Sequence, residues 1–237
     1  VREMDARVER VVVSIFVNPT QFAPHEDFGR YPRTLDADCT KLGGQGLADL
    51  VFAPSAAEMY PEGFATKIEV GGPAEGLETD FRPHFFAGVA TVVSKLLVAA
   101  MPDAAIFGEK DYQQLLVIKR MVADLALPIE IIGGATMREA DGLALSSRNA
   151  YLSIDERKVA GRLNRILKDV ALRARTNLAN AELEGRDALL KAGFAYVDYV
   201  AVRDAVTLKT ISRIDAPARV LAAAKIGNTR LIDNLAV

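Results

Sequence analysis

The feature that most constrains this chain is a continuous apolar run, VVVSIFV, at residues 11–17. A run of β-branched and aromatic residues without polar alternation is typical of a strand buried on both faces of a parallel sheet. Further apolar runs at 104–107 and 128–132 flank a helical pattern at 111–125, and a second helical pattern covers 88–100. Strands that alternate with helical segments of this length predict βαβ units. We therefore expect an α/β protein with a mostly parallel sheet.

The pattern changes after residue 150. Residues 153–190 carry many charges at helical spacing, and short strands are predicted at 197–202 and 219–223. Ser153 followed three residues later by Glu156 predicts a capping box at the start of this helical stretch. These features predict a smaller C-terminal α+β domain.

Composition excludes several classes of protein. The 29 Lys and Arg residues balance 31 Asp and Glu residues, so no excess of positive charge favours general binding to nucleic acid. No run of about 18 uncharged apolar residues predicts a membrane span. The single cysteine, Cys39, cannot form an internal disulfide or a thiolate zinc cage. The chain begins at Val1 without a signal-peptide pattern, so we expect a soluble protein of a reducing compartment.

Ligands of open parallel sheets bind beyond the carboxyl ends of the strands, and three predicted strand ends are polar. After the first strand, Asn18 and Gln21 offer neutral donors and acceptors, although Asn and Pro are also common in plain turns. After the run at 104–107, Gly108, Lys110 and Asp111 precede a helix, whose free N–H groups favour a phosphate. The alternative is that Asp111 only caps this helix.

A third polar segment contains Ser146, Ser147 and Arg148. Two hydroxyls beside an arginine form a compact set for binding an anion, because arginine can bind phosphate through two parallel hydrogen bonds. The alternative is a polar loop between two domains.

Other kinds of site are disfavoured. The two histidines, His25 and His84, have no metal-ligand spacing. His25 lies in a polar segment where we expect it to be solvated. Cys39 has no histidine nearby in the sequence, so a small buried apolar residue is a better interpretation than a nucleophile. Neither GxSxG nor GxGxxG occurs, which argues against covalent serine chemistry and dinucleotide redox chemistry.

Five blocks of sequence together carry a resemblance to a known family. They are SIFVNPTQF at 14–22, YPRTLDAD at 31–38, GEKDYQQL at 108–115, DGLALSSRNAYL at 141–152 and GNTRLIDN at 227–234. In this order and at this spacing, they closely resemble the pantoate–β-alanine ligase family. The resemblance implies a Rossmann-like nucleotidylyltransferase-type parallel sheet with the smaller C-terminal α+β domain. It also implies the AMP-forming, ATP- and Mg²⁺-dependent condensation of pantoate with β-alanine through a pantoyl-adenylate, in a cytoplasmic homodimer.

The resemblance also implies roles for individual residues. Pantoate and β-alanine would be bound by Gln21, Gln114, Asn18 and Arg82. ATP would be bound by Gly108, Glu109, Lys110, Asp111, Met137, Leu145, Ser146, Ser147 and Arg148. Of these, Lys110, Ser146, Ser147 and Arg148 would act on the phosphates during catalysis. The implied domains are a nucleotide- and pantoate-binding domain at 1–137 and a lid domain carrying the LSSR segment at 138–237.

This sequence departs from the family pattern in two places. The segment RPHFFAGV at 82–89 carries Phe85 where the family usually has a histidine, and His84 precedes it. The family's first strand and its HxGH segment correspond to sequence ahead of residue 1. We expect the 237-residue polypeptide by itself to be catalytically impaired, and the strands at 11–17 and 104–107 to have unpaired inner edges.

Two alternatives remain open at this point. The chain could be another nucleotidylyltransferase with the same sheet, although neutral Gln21 and Gln114 do not suit a phosphate-bearing partner. It could also be a non-enzymatic ATP-binding or oligomerisation module, which would bind ATP without forming AMP.

Overall fold

The computed structural model describes residues 1–5, 7–22 and 26–237, so His25 lies outside the described residues. The chain forms two compact units. The first comprises Val1–Val70, Arg82–Phe107 and Ile118–Gly134, and the second comprises Gly71–Phe81, Gly108–Val117 and Ala135–Val237. The chain passes from the first unit to the second for the last time between Gly134 and Ala135, close to the expected boundary near residue 137. The second unit also includes two earlier segments of the chain.

The first unit contains short parallel strands and the helices between them. Strands β1 and β2 are parallel, with Val13 opposite Val51 in their register. Strands β3 and β4 form a second two-stranded sheet. The elements are α1 (Arg2–Asp5), β1 (Val12–Ser14), α2 (Leu35–Gly43), β2 (Leu50–Phe52), α3 (Ala56–Met59), α5 (Phe85–Ala100), β3 (Ala104–Gly108), α6 (Tyr112–Asp124, shared with the second unit) and β4 (Glu130–Gly134).

Strand β1 is shorter than the apolar run that predicted it. Among the described residues, β1 pairs only with β2, and β3 pairs only with β4. Ile15 adds one more backbone hydrogen bond, to Phe52 O, before the chain leaves the strand. Each of β1 and β3 thus has one edge without a strand partner in the described chain. Val12 and Leu50, paired in the register, are both exposed.

Helix α5 is the buried helix that the sequence predicts. Val89, Ala90 and Val92 are all nearly inaccessible to solvent. The helix ends at Ala100, and the next residue, Met101, adopts the left-handed conformation with φ 40° just before Pro102. Cys39 lies on α2 and is half-buried, so it is less buried than the sequence interpretation as a small buried apolar residue implied. Helix α2 has no fully buried residue, which leaves its apolar positions partly open to solvent.

The second unit is the α+β arrangement that the sequence predicts. Strands β5, β6 and β7 form an antiparallel sheet in that order, and helices α8 and α9 pack on it around a continuous apolar core. A Cβ atom added at Gly185 would come within 2.4 Å of Val170 Cγ2, so glycine allows α9 to approach α8 closely. The elements are α4 (Glu78–Phe81), α7 (Ile154–Ala160), α8 (Arg162–Ala174), α9 (Leu178–Ala192), β5 (Tyr196–Asp204), β6 (Ala218–Ile226) and β7 (Thr229–Ala236).

The predicted capping box at the start of α7 is confirmed. Ser153 Oγ accepts a hydrogen bond from Glu156 N, and the Glu156 carboxylate accepts one from Ser153 N. Two otherwise unpaired N–H groups of the first helical turn are thereby satisfied.

Within the described ranges, no helix combines the length and apolar character needed to cross a membrane.

Candidate active site

Asn18 holds the loop that follows β1. It is 4% exposed, and its Oδ1 accepts hydrogen bonds from Thr20 N at 3.2 Å and from the Tyr60 hydroxyl at 2.8 Å. Its Nδ2 donates to Gly88 O at 3.2 Å. Asn18 therefore caps the short 3₁₀ helix Pro19–Gln21 and ties it to α5. Both polar atoms of its amide are used within the protein.

The side chain of Gln21 is differently placed. It is half-buried, and its amide makes no hydrogen bond to any described residue. Its backbone carbonyl accepts a hydrogen bond from Arg82 Nη2 at 2.9 Å. The loop after β1 thus fixes the backbone of Gln21 and leaves its amide available to a ligand.

Arg82 is held by protein groups. Its Nε donates to Glu26 Oε1 at 2.7 Å and its Nη2 to Glu26 Oε2 at 2.8 Å. Its guanidinium lies 4.0 Å from the centroid of the Phe85 ring. The phenylalanine at the family's histidine position therefore supports Arg82 through a cation–π contact. Both charges of the Arg82–Glu26 pair are largely buried, with 14% and 18% of the side chains exposed.

His84 lies at the N-terminus of α5 and lines a cavity of about 450 Å³ within the first unit. Thr20, Tyr60, Phe64 and Lys67 are among the other residues that line this cavity.

In the second unit, the GEKD segment forms a tight turn before α6. Gly108 is exposed, and Glu109–Asp111 form one turn of 3₁₀ helix. The side chains of Lys110, Asp111 and Gln114 are half-buried and make no hydrogen bond or ion pair with the described residues. The Glu109 carboxylate, by contrast, forms an ion pair with Arg219 at 3.0 Å. Three of the four predicted polar side chains in this region are therefore free to meet a ligand.

Met137 and Leu145 form an exposed apolar pair. Leu145 N donates to Met137 O at 2.9 Å, next to an antiparallel bridge between Arg138 and Ala144. Their exposed fractions are 69% and 51%, which is high for large apolar residues. Two adjacent apolar side chains without a protein cover present a surface suited to a flat aromatic ligand.

The LSSR segment continues directly from this pair. Ser146 caps the 3₁₀ helix Ser147–Tyr151, and its Oγ accepts from Arg148 N at 3.3 Å. Ser147 is exposed and Arg148 is half-buried.

Helix α7 braces the loop in front of this segment. Arg157 donates from Nη1 to Asp141 Oδ2 at 2.6 Å and from Nη2 to Glu139 Oε2 at 2.9 Å. The hydrogen bond from Arg157 lowers the pKa of Asp141 below its ordinary value of 3.8, and the bond from Leu143 N adds to the effect. The loop is thus held near the protein surface by one arginine that binds two carboxylates.

Segment Gly71–Phe81 is tied to the second unit by a buried cluster of charges. Arg230 binds Glu78 through Nη1 and Nη2, both at 2.8 Å, and Asp198 through Nε at 2.5 Å. Tyr199 donates its hydroxyl to Glu78 Oε1 at 2.8 Å. Burial raises the pKa of Tyr199 well above 10.0, and the Glu78 charge adds to this shift. Sequence reasoning did not find this cluster.

Four more residues that sequence reasoning missed surround the GEKD turn and the segment 137–148. They are Arg138, Arg219, Asp233 and Asn234, of which the last two belong to the GNTRLIDN block. The described residues hold no group of three or more His, Cys, Asp or Glu side chains that could bind a metal ion.

The comparisons with known proteins agree on one family. The sequence profile described as pantoate-beta-alanine ligase matches residues 1–236. The pantothenate synthetase of Bradyrhizobium sp. strain BTAi1 is 55% identical over 241 residues, which cover 100% of this chain and 84% of that protein. The pantothenate synthetase of Mesorhizobium japonicum is 57% identical over 233 residues, covering 98% and 82% respectively.

Solved structures show the same similarity. The crystal structure of pantothenate synthetase from Thermus thermophilus has a TM-score of 0.89 at 49% identity, covering 96% of this chain and 83% of that one. Pantoate-beta-alanine ligase from Francisella tularensis, in complex with beta-gamma ATP and beta-alanine, has a TM-score of 0.83 at 34% identity and covers 99% and 82%. These neighbours confirm the expected nucleotidylyltransferase-type fold. The chain belongs to the pantoate-beta-alanine ligase family.

Proposed function

We propose that this chain uses ATP to condense (R)-pantoate with β-alanine, through a pantoyl-adenylate, and releases AMP and pyrophosphate. Membership of the family supports this reaction. The observation from the structure that carries the proposal is that four of the predicted polar side chains have no partner among the described residues, whereas others are engaged. The side chains of Gln21, Lys110, Asp111 and Gln114 make no hydrogen bond or ion pair there. Those of Asn18, Arg82 and Glu109 are bound by protein groups.

Pantoate binding is assigned to neutral amides. Gln21 and Gln114 each offer a donor and an acceptor, which suit the hydroxyls and carboxylate of pantoate without adding a like charge. Asn18 and Arg82 act on this substrate through the loop that they hold, because Arg82 binds the backbone carbonyl of Gln21. The cation–π contact with Phe85 fixes the guanidinium for that task.

ATP binding is assigned to the GEKD turn and the segment 137–148. The exposed apolar pair, Met137 and Leu145, would cover the adenine ring, and Asp111 would accept hydrogen bonds from the ribose hydroxyls. Gly108 lacks a side chain that would obstruct the nucleotide, and Glu109 contributes through its backbone. The phosphates would be bound by Lys110, Ser146, Ser147 and Arg148.

Magnesium is proposed to enter with ATP as part of the substrate, since Mg²⁺ at such sites is held largely by substrate phosphates.

The chemistry needs positioning rather than a protein nucleophile. In the first step a pantoate carboxylate oxygen attacks the α-phosphorus, a new P–O bond forms, and the bond to pyrophosphate breaks. In the second step the amine of β-alanine attacks the acyl carbon, the bond to the AMP oxygen breaks, and the nitrogen loses a proton. Lys110 and Arg148 neutralise the charge that grows on the leaving pyrophosphate.

The organisation of the whole protein is also proposed from the family. We assign nucleotide and pantoate binding to residues 1–137 and a lid function to 138–237, in a cytoplasmic homodimer. The resemblance supports these assignments, and sedimentation equilibrium of the purified protein tests the dimer. A second candidate function is ATP binding without turnover, and AMP release measured with pantoate and β-alanine distinguishes the two.

An oxygen-labelling experiment tests the proposed reaction. It uses an extended polypeptide, defined as this chain preceded by the N-terminal segment of the Bradyrhizobium relative. Pantoate labelled with ¹⁸O in its carboxylate is incubated with ATP, Mg²⁺ and β-alanine, and the products are analysed by mass spectrometry. The proposal requires one ¹⁸O atom in AMP and none in pyrophosphate. Formation of ADP and labelled phosphate would contradict it, because that outcome indicates an acyl phosphate instead.

A further inference from the structure

The last strand of the second unit carries two adjacent buried polar residues. Asp233 and Asn234 on β7 are each 3% exposed. One face of β7 packs against α8 and the other against the Glu109–Asp111 turn. Because successive side chains of a strand point to opposite faces, these two residues serve different neighbours.

Asn234 binds the backbone of the GEKD turn. Its Nδ2 donates to Glu109 O and to Lys110 O, both at 2.9 Å, and its Oδ1 accepts from Arg219 Nε at 2.6 Å. The amide therefore uses both donors and its acceptor. Two successive carbonyls of the turn are fixed by one side chain.

Arg219 supports the same turn from the neighbouring strand β6. Its Nη2 forms the ion pair with Glu109, and its guanidinium lies 3.7 Å from the centroid of the Tyr112 ring. Tyr112 is the first residue of α6 and donates its hydroxyl to Ala205 O at 2.7 Å. The guanidinium of Arg219 thus contacts both the turn and the first residue of the helix that follows it.

Asp233 binds the segment that carries Met137 and Leu145. Its two carboxylate oxygens accept from Arg138 Nη1 at 2.8 Å and Nη2 at 2.9 Å. Arg138 Nη1 also donates to Gly142 O at 3.0 Å, and Asn164 on α8 donates to Asp233 Oδ2 at 3.2 Å. A bidentate pair of this kind fixes orientation as well as distance.

We propose that Asp233 and Asn234 are positioning residues for ATP. They hold the GEKD turn and the segment 137–148 in a fixed position relative to each other. Their Cα atoms are about 3.8 Å apart along one strand, so the two segments share one rigid support. This inference rests on the proposed function, which assigns both segments to ATP. Supporting residues of this kind reduce the reorganisation that ligand binding requires.

The test uses Asn234→Asp in the extended polypeptide. This change preserves shape and keeps an acceptor for Arg219, but it places an oxygen against two carbonyl oxygens. Asn180→Asp is the matched control, because Asn180 is exposed on α9. Calorimetric titration with MgATP gives the dissociation constant and the stoichiometry separately. We expect Asn234→Asp to raise the dissociation constant roughly tenfold or more, with unchanged stoichiometry and an unaffected control.

A purely structural role predicts a different result, in which the stoichiometry falls with the unfolded fraction while the folded fraction binds ATP normally. Hydrogen exchange of the 237-residue chain, with and without the Asn234→Asp substitution, gives a second readout that needs no ATP. In the Asn234→Asp variant, exchange should be faster in the peptide covering 108–117 and unchanged in α9. Unchanged exchange there would contradict the proposed support.

A second variant keeps the proposal testable if Asn234→Asp does not fold. Arg138→Lys retains the charge opposite Asp233 but loses the bidentate bond and the bond to Gly142. It should also raise the dissociation constant of MgATP, with faster exchange at 137–146. A wild-type dissociation constant in either folded variant would overturn the inference. Absence of ATP binding by the unaltered extended polypeptide would instead contradict the proposed function itself.

Discussion

Gln21 and Gln114 provide the first prediction at the scale of single residues. Their amides have no partner among the described residues, and we assign them to pantoate. Loss of a hydrogen bond to a charged ligand costs about 1.5–3 kcal/mol. Replacement of either glutamine by alanine in the extended polypeptide should therefore raise the KM for pantoate roughly tenfold to a hundredfold. The dissociation constant of MgATP should not change.

The matched control for this prediction is Gln45→Ala, since Gln45 is exposed and its side chain accepts one hydrogen bond, from Arg2, among the described residues. An equal loss of ATP affinity in the Gln21 and Gln114 variants would show that these residues do not select pantoate.

Arg148 provides a second prediction. Arg148→Lys keeps the positive charge but cannot form two parallel hydrogen bonds to a phosphate. We expect the rate of pantoyl-adenylate formation in a single turnover to fall more than the affinity for ATP. Arg175→Lys, at an exposed position after α8, is the control. Formation of pantoyl-adenylate at the normal rate would remove Arg148 from the catalytic assignment.

The sequence indicated which residues could bind a ligand, but it did not indicate which protein groups those residues contact. Residue type and position after a strand indicated Gln21, Lys110 and the LSSR segment as candidates. The same reasoning could not predict that the Gln21 amide has no protein partner among the described residues while the Asn18 amide has three. Asn18 is hydrogen-bonded to Thr20, Tyr60 and Gly88. Those contacts join distant parts of the chain, and a local pattern contains no information about them.

At the scale of structural elements, the bracing of the Glu139–Gly142 loop by α7 depends on pH. The pKa of Asp141 is lowered in the folded protein, so its contribution to stability is present above the ordinary value of 3.8. That contribution is lost as the pH falls through the lowered value. Asp141→Asn should therefore lower the melting temperature at pH 7 by an amount that vanishes well below pH 3.8.

The size of this effect is modest, because surface ion pairs contribute roughly 1 kcal/mol or less. Thermal melts at pH 7 and at acidic pH, with the exposed Asp187→Asn as control, check the prediction. An effect of Asp141→Asn that persists unchanged under strongly acidic conditions would show that the charge of Asp141 is not its cause.

Apolar periodicity predicted most helices and strands correctly, including α5 and α6, and the spacing of Ser153 and Glu156 predicted the capping box of α7. Two elements show its limits. Strand β1 is shorter than its apolar run because a strand extends only as far as it has a partner, and β2 is short. Strand β7 was not predicted because Thr229, Asp233 and Asn234 are polar but buried. Asp233 and Asn234 can be buried because residues far away in the sequence satisfy their hydrogen bonds.

At the scale of the whole molecule, the two units are not separated by the one domain boundary that the sequence suggested, because each unit consists of three segments of the chain. Segment Gly71–Phe81 belongs to the second unit because the Gln113 side chain bonds Pro73 O, Gly76 O and Glu78 N. Arg230 adds the buried ion pair with Glu78. Burial disfavours the charged form of Arg230, but its carboxylate partners outweigh that effect and raise its pKa. A change in composition along the chain cannot reveal that an early segment packs with residues that come much later.

We propose that this chain binds pantoate and ATP through the residues assigned above, and that the phosphate chemistry also needs the family's HxGH segment. The most direct measurement compares AMP release by the 237-residue polypeptide and by the extended polypeptide, in the presence and absence of pantoate and β-alanine. Loss of one preorganised donor typically lowers the rate about 10²–10³-fold. We predict that the extended polypeptide releases AMP at least about a hundredfold faster, and only with both substrates. Equal turnover by the two polypeptides, or AMP release independent of pantoate, would contradict this account.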